Sequence, residues 1–401
     1  MDRKGSTWNE SEIYSDALTL RRVRRVTTRG YYNATPTYHT NTAFTSDGEF
    51  FVFASARGGR SAVFRCHTKS GDITQLIDPV DGTGCVDEMQ KSSGHGTGNG
   101  MGISMLMCVA PKTRWLVYLA GRAVRAVHLE TLEERELVRD WGREWVVGVP
   151  SIDPEETHVI LPLVPAHPEL LAGKRVTRNY MDAFAPGEFI HRLVEAPLKG
   201  GPSRVVYEVR DTHCAHCPHC PIDPDLLLVD RDMAPKFWGG SDGGKTNRIW
   251  TLKLSTKQLT ELLPLEKSKF QMHAGWTFDG QGIFYHGPRK EGGYYIGVTR
   301  PTSEVIREYS LPAAHHYGHV SAMAGRPAII LDGNVTPDTL FWLYYDAEQP
   351  RLEMIARHNT NWNGMPWQYS HPHPQSDPTG KWISFNSCIE RGRADAFVVA
   401  V

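Results

Sequence analysis

Residues 44–53, Phe-Thr-Ser-Asp-Gly-Glu-Phe-Phe-Val-Phe, combine a polar turn with an apolar, aromatic run that favours a β-strand. The same unit recurs along the whole chain, and its sixth copy is degenerate. The seven copies begin at Phe44, Val109, Ser151, Cys220, Thr277, Ser321 and Asp377. Their spacing of about 40 to 70 residues is typical of propeller blades rather than of solenoid turns.

Most copies are followed by a second hairpin, as at residues 67–77, 128–138 and 253–263, which predicts the outer two strands of a four-stranded blade. After Asp377 only two strand-like segments remain, so the run at residues 17–26 is expected to supply the missing outer strand and cover the last edge. We predict an all-β fold, a seven-bladed β-propeller forming a single domain over residues 1–401, with 1–16 as an irregular N-terminal extension. Two β-sandwiches with similar turns are the alternative, but the even spacing and the incomplete last unit favour the ring.

The composition of the 401 residues is that of a soluble globular protein, with 40% hydrophobic and 22% charged residues and a net charge of −1. This balance predicts neither nucleic acid nor an anionic membrane as the main partner. No apolar run reaches the roughly 18 residues of a membrane helix, and the first residues lack the apolar core of a secretory signal. Seven cysteines, three of them at 214, 217 and 220, fit a reduced cytoplasmic compartment. We expect a monomer or a small homo-oligomer.

A second stretch, Gln368-Tyr-Ser-His371-Pro-His373-Pro, carries candidate metal ligands. In an extended backbone, two histidines separated by one residue project to the same side. Pro372 removes a backbone donor, which predicts the mouth of a strand. An amide oxygen with imidazole nitrogens suits a borderline divalent ion such as manganese, iron or zinc.

Other histidines occupy equivalent positions in neighbouring blades. In a propeller the first strand of each blade lines the central channel, so residues just before each turn converge on one funnel. Gln368, His371 and His373 precede the Asp377 turn, and His273 precedes the Asp279 turn. The sixth repeat is preceded by three histidines, His315, His316 and His319. Taken alone, His273 could instead be a core-edge histidine bonded to a carbonyl group.

Several of these motifs, taken together, resemble the oligogalacturonate lyases of polysaccharide lyase family 22. The resemblance is strongest over residues 219–385 and is carried by Asp223-Pro-Asp-Leu-Leu-Leu-Val, Asn247-Arg248-Ile-Trp250, His273, His319-Val-Ser321 and Gln368-x-x-His371-x-His373. It implies a seven-bladed propeller and a manganese ion held by His319, Gln368, His371 and His373. It also implies His273 as the Brønsted base and Arg248 as a residue that assists at the substrate. The implied reaction is β-elimination on oligogalacturonate from pectin, which gives a 4,5-unsaturated uronate.

The chemistry of β-elimination fits these residue types. The proton at C5 of a uronate is hardly acidic while the neighbouring carboxylate carries full negative charge, so a cation on that carboxylate assists its removal. All four implied ligands are neutral and leave the charge of the ion to the substrate. A neutral histidine can accept the proton, and an arginine can contact a carboxylate with two N–H groups. Arg248 could also form a salt bridge within its blade. No pair of carboxylates stands out at the funnel positions, which argues against a glycoside hydrolase.

Further candidates lie outside this set. His39, Asn41, His95 and Asn99 fall at the same funnel end and are either substrate contacts or ordinary turn residues. The sequence departs from the family pattern at Ala322, which follows Ser321, and His315 and His316 are additional candidates for the ligand position. Cys214, Cys217 and Cys220 have metal-ligand spacing but need a fourth ligand, which a histidine could supply; otherwise they are buried thiols. The competing functions are a lyase on another glucuronate-containing oligosaccharide and a propeller that only binds a protein or peptide.

Overall fold

In a computed structural model, the described residues are 2–36, 42–82, 102–174, 177, 181–214, 216–231, 247–263, 269, 271–311, 317–333, 338–365 and 369–401. They form seven antiparallel sheets arranged as the blades of a β-propeller. None of the helices in these ranges is long and apolar enough to span a membrane.

The N-terminal segment and blade 1 come first in the chain. The N-terminal strands are β1 (Thr7–Trp8), β2 (Glu12–Ser15) and β3 (Arg22–Arg25). Blade 1 contains β4 (Tyr32–Ala34), β5 (Phe50–Arg57), β6 (Arg60–His67), β7 (Ile73–Gln75) and β8 (Val80–Asp81). Strand β1 pairs with β7 at the outer edge of this blade.

Blades 2 and 3 follow. Blade 2 contains β9 (Cys108–Ala110), β10 (Trp115–Ala120), β11 (Ala123–His128) and β12 (Glu134–Val138). Blade 3 contains β13 (Trp145–Val147), β14 (Ser151–Ile152), β15 (His158–Pro165), β16 (Ile190–Pro197) and β17 (Arg204–Arg210). A short helix α1 (Pro168–Leu171) and a 3₁₀ turn (Met181–Ala183) connect β15 to β16.

Blades 4 to 6 have four strands each. Blade 4 contains β18 (His219–Cys220), β19 (Asp223–Asp230), β20 (Ile249–Lys253) and β21 (Gln258–Glu261). Blade 5 contains β22 (Ala274–Trp276), β23 (Ile283–Pro288), β24 (Tyr294–Thr299) and β25 (Val305–Leu311). Blade 6 contains β26 (Tyr317–Ala322), β27 (Ala328–Gly333), β28 (Thr339–Tyr344) and β29 (Arg351–Arg357).

Blade 7 joins the two ends of the chain. Its C-terminal strands are β30 (Gln375–Ser376), β31 (Trp382–Ser387) and β32 (Asp395–Ala400), and the N-terminal β3 and β2 complete it in the order β2-β3-β32-β31-β30. Strand β3 is in register with β32 through Val23 opposite Val399. The predicted closure by an N-terminal strand is confirmed. The expectation that residues 1–16 are irregular is wrong, because β1 and β2 lie in that range and satisfy the outer edges of blades 1 and 7.

The repeated turn joins the innermost strand of a blade to the next strand. In blades 1 and 5 a threonine hydroxyl donates to the aspartate two residues later, at 2.6 Å in both Thr45–Asp47 and Thr277–Asp279. The glycine after each aspartate has a positive φ, which suits glycine because it has no Cβ. The start of each innermost strand therefore lies at one end of the channel and the turn at the other.

Candidate active site

His319 lies on β26 of blade 6, where the pairing with β27 is irregular between Tyr317 and Val320. Its backbone N–H donates to Oδ1 of the buried Asp332 (2.7 Å), and its Nδ1 contacts Oδ2 of the same carboxylate (2.9 Å). Since an ionised carboxylate only accepts, the proton of the neutral ring is on Nδ1 and the lone pair is on Nε2. A histidine held in this way by a carboxylate is typical of a metal ligand.

His371 and His373 lie in the loop that leads into β30 of blade 7. Asn386 donates to the carbonyl of Pro372 (2.8 Å), and the Ser321 hydroxyl donates to that of Pro374 (2.6 Å). The expected extended geometry is wrong at His373, whose φ of 44° is left-handed. The proline that follows His373 favours an extended conformation, so the loop contacts must hold the residue in the strained left-handed one. A turn rather than strand alternation brings the two histidines to one point.

The three histidines form a compact cluster. The ring centroid of His319 lies 4.1 Å from that of His373 and 5.3 Å from that of His371. Each ring offers one ligand nitrogen, and these atoms lie within 4.8 Å of one another. Among the described residues, these three histidines are the side chains whose arrangement could hold a metal ion. The predicted convergence of blades 6 and 7 is confirmed.

The donor set fits a borderline divalent ion. Burial, with help from His319, lowers the pKa of His371 to about 4, so this ring is a neutral donor at neutral pH. Its Nδ1 is buried and has no hydrogen-bond partner in the described part of the chain, as expected of a ligand atom. Gln368, the implied fourth ligand, lies outside the described residues, as do His315 and His316.

His273 of blade 5 lies beside the cluster, immediately before β22. Its ring centroid is 5.1 Å from that of His319, and the ring is partly exposed. The ring also contacts His286 of β23, with centroids 5.3 Å apart and an interplanar angle of 27°. The Nδ1 of His273 lies 3.2 Å from the Nε2 of His286. Burial, and then His319, lowers the pKa of His286 to about 3, so His286 is neutral at neutral pH.

Arg248 lies next to this histidine group, immediately before β20 of blade 4. Its Nη2 donates to the buried Asp230 (2.9 Å), and its backbone N–H donates to Gln271 (2.7 Å), two residues before His273. The salt bridge anticipated as an alternative is therefore present. Asp230 also contacts Nδ1 of His216 (2.5 Å), whose ring centroid lies 6.3 Å from that of His273. Burial raises the pKa of Asp230, but His216 and Arg248 outweigh this effect and hold it far below its usual value.

The cysteine cluster does not form a metal site within the described residues. Cys214 and Cys217 pack in the core shared by blades 3 and 4, whereas Cys220 packs in the core between blades 4 and 5. The neighbouring His219 bonds to Ser151 (3.2 Å). All three thiols are free and buried, and burial raises the pKa of Cys217 well above its usual value. The three side chains therefore fill two separate cores.

Sequence reasoning missed the partners of the histidines. Asp230, His286 and Asp332 each lie at or near the end of the second strand of a blade, 13 or 14 residues after the histidine they contact. A polar residue that ends an apolar run, as in Leu-Leu-Leu-Val-Asp230 and Ile-Ile-Leu-Asp332, was the available signal. Carboxylates are therefore present at the funnel, but each of these two is bound to a histidine.

The proposed sugar contacts His39, Asn41, His95 and Asn99 lie outside the described residues and stay predictions. A separate cavity of about 300 Å³ opens among residues such as Ser46, Pro154 and Phe278. These residues belong to the turns after the innermost strands, so this cavity lies at the end of the channel opposite to the histidines.

Comparison with known proteins gives matches by structure alone. No protein-family profile matches the chain, and no curated protein matches it by sequence. One similar solved structure is an oligogalacturonate lyase in complex with manganese, with a TM-score of 0.77 and 19% identity, covering 100% of this chain and 98% of the other. An oligogalacturonate lyase from Vibrio parahaemolyticus has a TM-score of 0.76 and 17% identity, covering 99% and 98%.

A third solved structure is less similar to this chain. A chain of the mitotic checkpoint complex has a TM-score of 0.53 and 12% identity, covering 100% of this chain and 94% of the other. The two lyases superpose over the same length with much higher TM-scores. The resemblance noted in the sequence is thus confirmed at the level of the fold, and this chain has the seven-bladed β-propeller fold of the oligogalacturonate lyases.

Proposed function

We propose that the protein is a metal-dependent lyase that cleaves short uronate oligosaccharides by β-elimination, with oligogalacturonate from pectin as the substrate. The observation that carries this proposal is the histidine group at the channel end. Three imidazoles with convergent ligand atoms lie beside a fourth, partly exposed imidazole whose ring centroid is 5.1 Å from that of His319. A metal centre with an adjacent base is what proton removal next to a carboxylate requires.

His319, His371 and His373 would hold the ion, with Gln368 as the expected fourth ligand. When bound, the ion acts as a Lewis acid toward the substrate carboxylate. We propose manganese from the family resemblance, and iron or zinc would also suit these donors. Because the three histidine ligands are neutral, this protein shell does not cancel the charge that attracts the anionic substrate.

His273 is the proposed base, and its Nε2 takes the proton from C5. The electron pair of the C5–H bond forms the C4–C5 double bond, and the C4–O4 bond breaks with its pair going to oxygen. Water supplies the proton that the leaving oxygen gains. Arg248 is held in place by Asp230 and Gln271 at the edge of the group, where its guanidinium group would contact a second substrate oxygen.

The first experiment follows the ultraviolet absorbance of the conjugated product during incubation with digalacturonate, longer oligogalacturonates and glucuronate-containing oligomers. We expect a rise with oligogalacturonate. A rise only with a glucuronate oligomer would change the assigned sugar. The same reaction in ¹⁸O-labelled water distinguishes elimination from hydrolysis. Elimination adds no solvent oxygen at the bond that breaks, whereas hydrolysis adds one. No new absorbance with any uronate would remove the lyase proposal.

A second experiment separates the lyase from a propeller that only binds a partner. We expect His371→Ala and His373→Ala to lose both the bound metal and turnover. His273→Gln should lose turnover and keep the metal, and loss of metal in this variant would make His273 a ligand. A protein without stoichiometric metal, whose metal content does not respond to the two alanine changes, would favour the binding scaffold.

The expected partner is a small acidic oligosaccharide, acted on by a monomer or a small homo-oligomer. We propose a cytoplasmic location, which the buried free thiols of six cysteines support. Short uronate oligomers are substrates small enough to be imported before they are cleaved. Fractionation of the producing cells checks this proposal.

A further inference from the structure

In each of three neighbouring blades, a histidine lies near the start of the innermost strand. The Nδ1 atom of this histidine contacts a side chain of the second strand. In blade 4 the Nδ1 of His216 contacts Asp230 at 2.5 Å, and in blade 6 the Nδ1 of His319 contacts Asp332 at 2.9 Å. In blade 5 the corresponding contact joins Nδ1 of His273 to Nε2 of His286 at 3.2 Å. The geometry repeats, but in blade 5 a neutral ring replaces the carboxylate.

The two carboxylate pairs fix the proton position of their histidines. An ionised carboxylate accepts hydrogen bonds only, so His216 and His319 donate from Nδ1. The contact between His273 and His286 allows either ring to donate. If His286 donated, the proton of His273 would lie on Nε2 and the ring could not accept a second proton there.

We infer that His286 is the positioning residue of the proposed base, accepting the Nδ1 proton of His273 so that the lone pair on Nε2 faces the substrate. The inference rests on the proposed lyase function. His286 has no exposed surface, so it acts through His273 and does not touch the substrate. A neutral acceptor also adds no negative charge beside a site that must bind a carboxylate, as an aspartate in the same place would.

The packing around His273 supports this role. The ring centroid lies 5.3 Å from that of His286 and 5.1 Å from that of His319, with interplanar angles of 27° and 33°. Rings packed this closely restrict rotation about χ2 and keep Nδ1 of His273 within 3.2 Å of Nε2 of His286. In this assignment Nδ1 of His286 carries the other proton, and this buried atom has no hydrogen-bond partner in the described part of the chain.

The tautomer can be measured without any turnover. ¹⁵N nuclear magnetic resonance of histidine-labelled protein loaded with zinc, a diamagnetic ion that these donors also suit, distinguishes protonated from unprotonated ring nitrogens, and His273→Gln identifies the signals of His273 by their loss. We expect the proton on Nδ1 of His273. A proton on Nε2 would overturn the inference. Because the spectrum requires no substrate, the result stands even if no uronate oligomer is cleaved and the proposed function itself fails.

Substitutions at His286 supply the kinetic test. Asp230 and Asp332 show that a side chain of aspartate length on the second strand reaches Nδ1, and asparagine offers a neutral oxygen of that length. We expect His286→Leu to lower kcat about 100-fold with little change in KM, because the base is misoriented. His286→Asn should recover kcat to within about tenfold of the wild type. Metal content and folding are compared in both variants, and an asparagine variant as slow as the leucine variant would overturn the inference.

Discussion

Asp332 fixes the orientation of His319, the proposed metal ligand from blade 6. Its two oxygens take the backbone N–H and Nδ1 of His319, and the carboxylate is fully buried. Burial raises the pKa of Asp332, but the interactions with His319 outweigh this effect and keep the group ionised. An ionised partner on Nδ1 makes Nε2 a stronger donor toward a metal.

Asp332→Asn should therefore weaken metal binding about 10- to 100-fold, because the neutral amide holds the ring less firmly and adds less electron density. Isothermal titration of the metal-free protein with manganese measures the change. Asp230→Asn is the matched control, since Asp230 makes the same two contacts to His216, which is not a proposed ligand. Equal losses of affinity in both variants would show a general structural effect.

The sequence identified the histidines but not their orientation. Equivalent positions before the turns predicted that His273, His319, His371 and His373 would meet, and they do. The partners were missed because a polar residue that ends an apolar strand does not by itself show which histidine it contacts. Its contact forms only when two strands pair with a given register.

At the scale of elements, the turn between the first and second strands of a blade is the repeated unit. Gly325 in blade 6 and Gly380 in blade 7 occupy such turns with nearly the same left-handed φ, 73° and 70°. A Cβ at Gly325 would meet nothing within 4 Å, whereas a Cβ at Gly380 would lie 2.5 Å from the carbonyl oxygen of Ala324. The turn of blade 7 is packed against the backbone of blade 6.

Gly380→Ala should consequently cost more stability than Gly325→Ala. The left-handed conformation costs an alanine about 1 kcal/mol at either position. The clash with a backbone oxygen adds to this at Gly380, for a total of about 3 kcal/mol. Urea unfolding of the two variants gives the difference directly, and equal free energies of unfolding would contradict the close packing of the two turns.

The second element that matters is β3, which closes the ring. Val23 has no exposed surface, and its side chain packs with Phe397, Val399 and Trp342. Strand β2 is the next strand outward, and the side chain of its residue Ile13 is 45% exposed to solvent. The closing strand is therefore held by burial of apolar side chains as well as by backbone hydrogen bonds.

Val23→Ala should destabilise the protein by about 2 kcal/mol, because two buried methyl groups are lost and a cavity remains. The exposed Ile13→Ala on β2 is the control and should change the free energy of unfolding by less than about 0.5 kcal/mol. Chemical denaturation followed by fluorescence measures both values. A small effect at Val23 would mean that β3 contributes little to closure.

At the scale of the whole molecule, the candidate metal centre joins two blades. His319 belongs to blade 6, and His371 and His373 lead into blade 7, so an ion there would connect neighbouring sheets next to the closing blade. The ring itself is completed by strand pairing in all seven sheets. The fold therefore does not require the ion, but bound ion should stabilise it.

Removing the metal with a chelator should abolish turnover and lower the thermal midpoint without unfolding the protein at room temperature. With free metal at 100 times its dissociation constant, binding contributes about 2.7 kcal/mol to the folded state. Calorimetry with and without manganese gives the shift, and His373→Ala should show no shift. A wild-type midpoint that does not respond to metal would contradict the proposed site.

The sequence by itself determined the seven repeats, the closure by the N-terminal run and the meeting of the histidines, because all three follow from the spacing of turns and apolar strands along the chain. Only the tertiary structure decided which atoms meet. The left-handed turn at His373, the assignment of the three cysteines to two cores and the partners of His216, His273 and His319 depend on strand register and packing between blades. Contacts between segments distant in sequence are set by these three-dimensional relations, and a linear pattern of residue types does not record them.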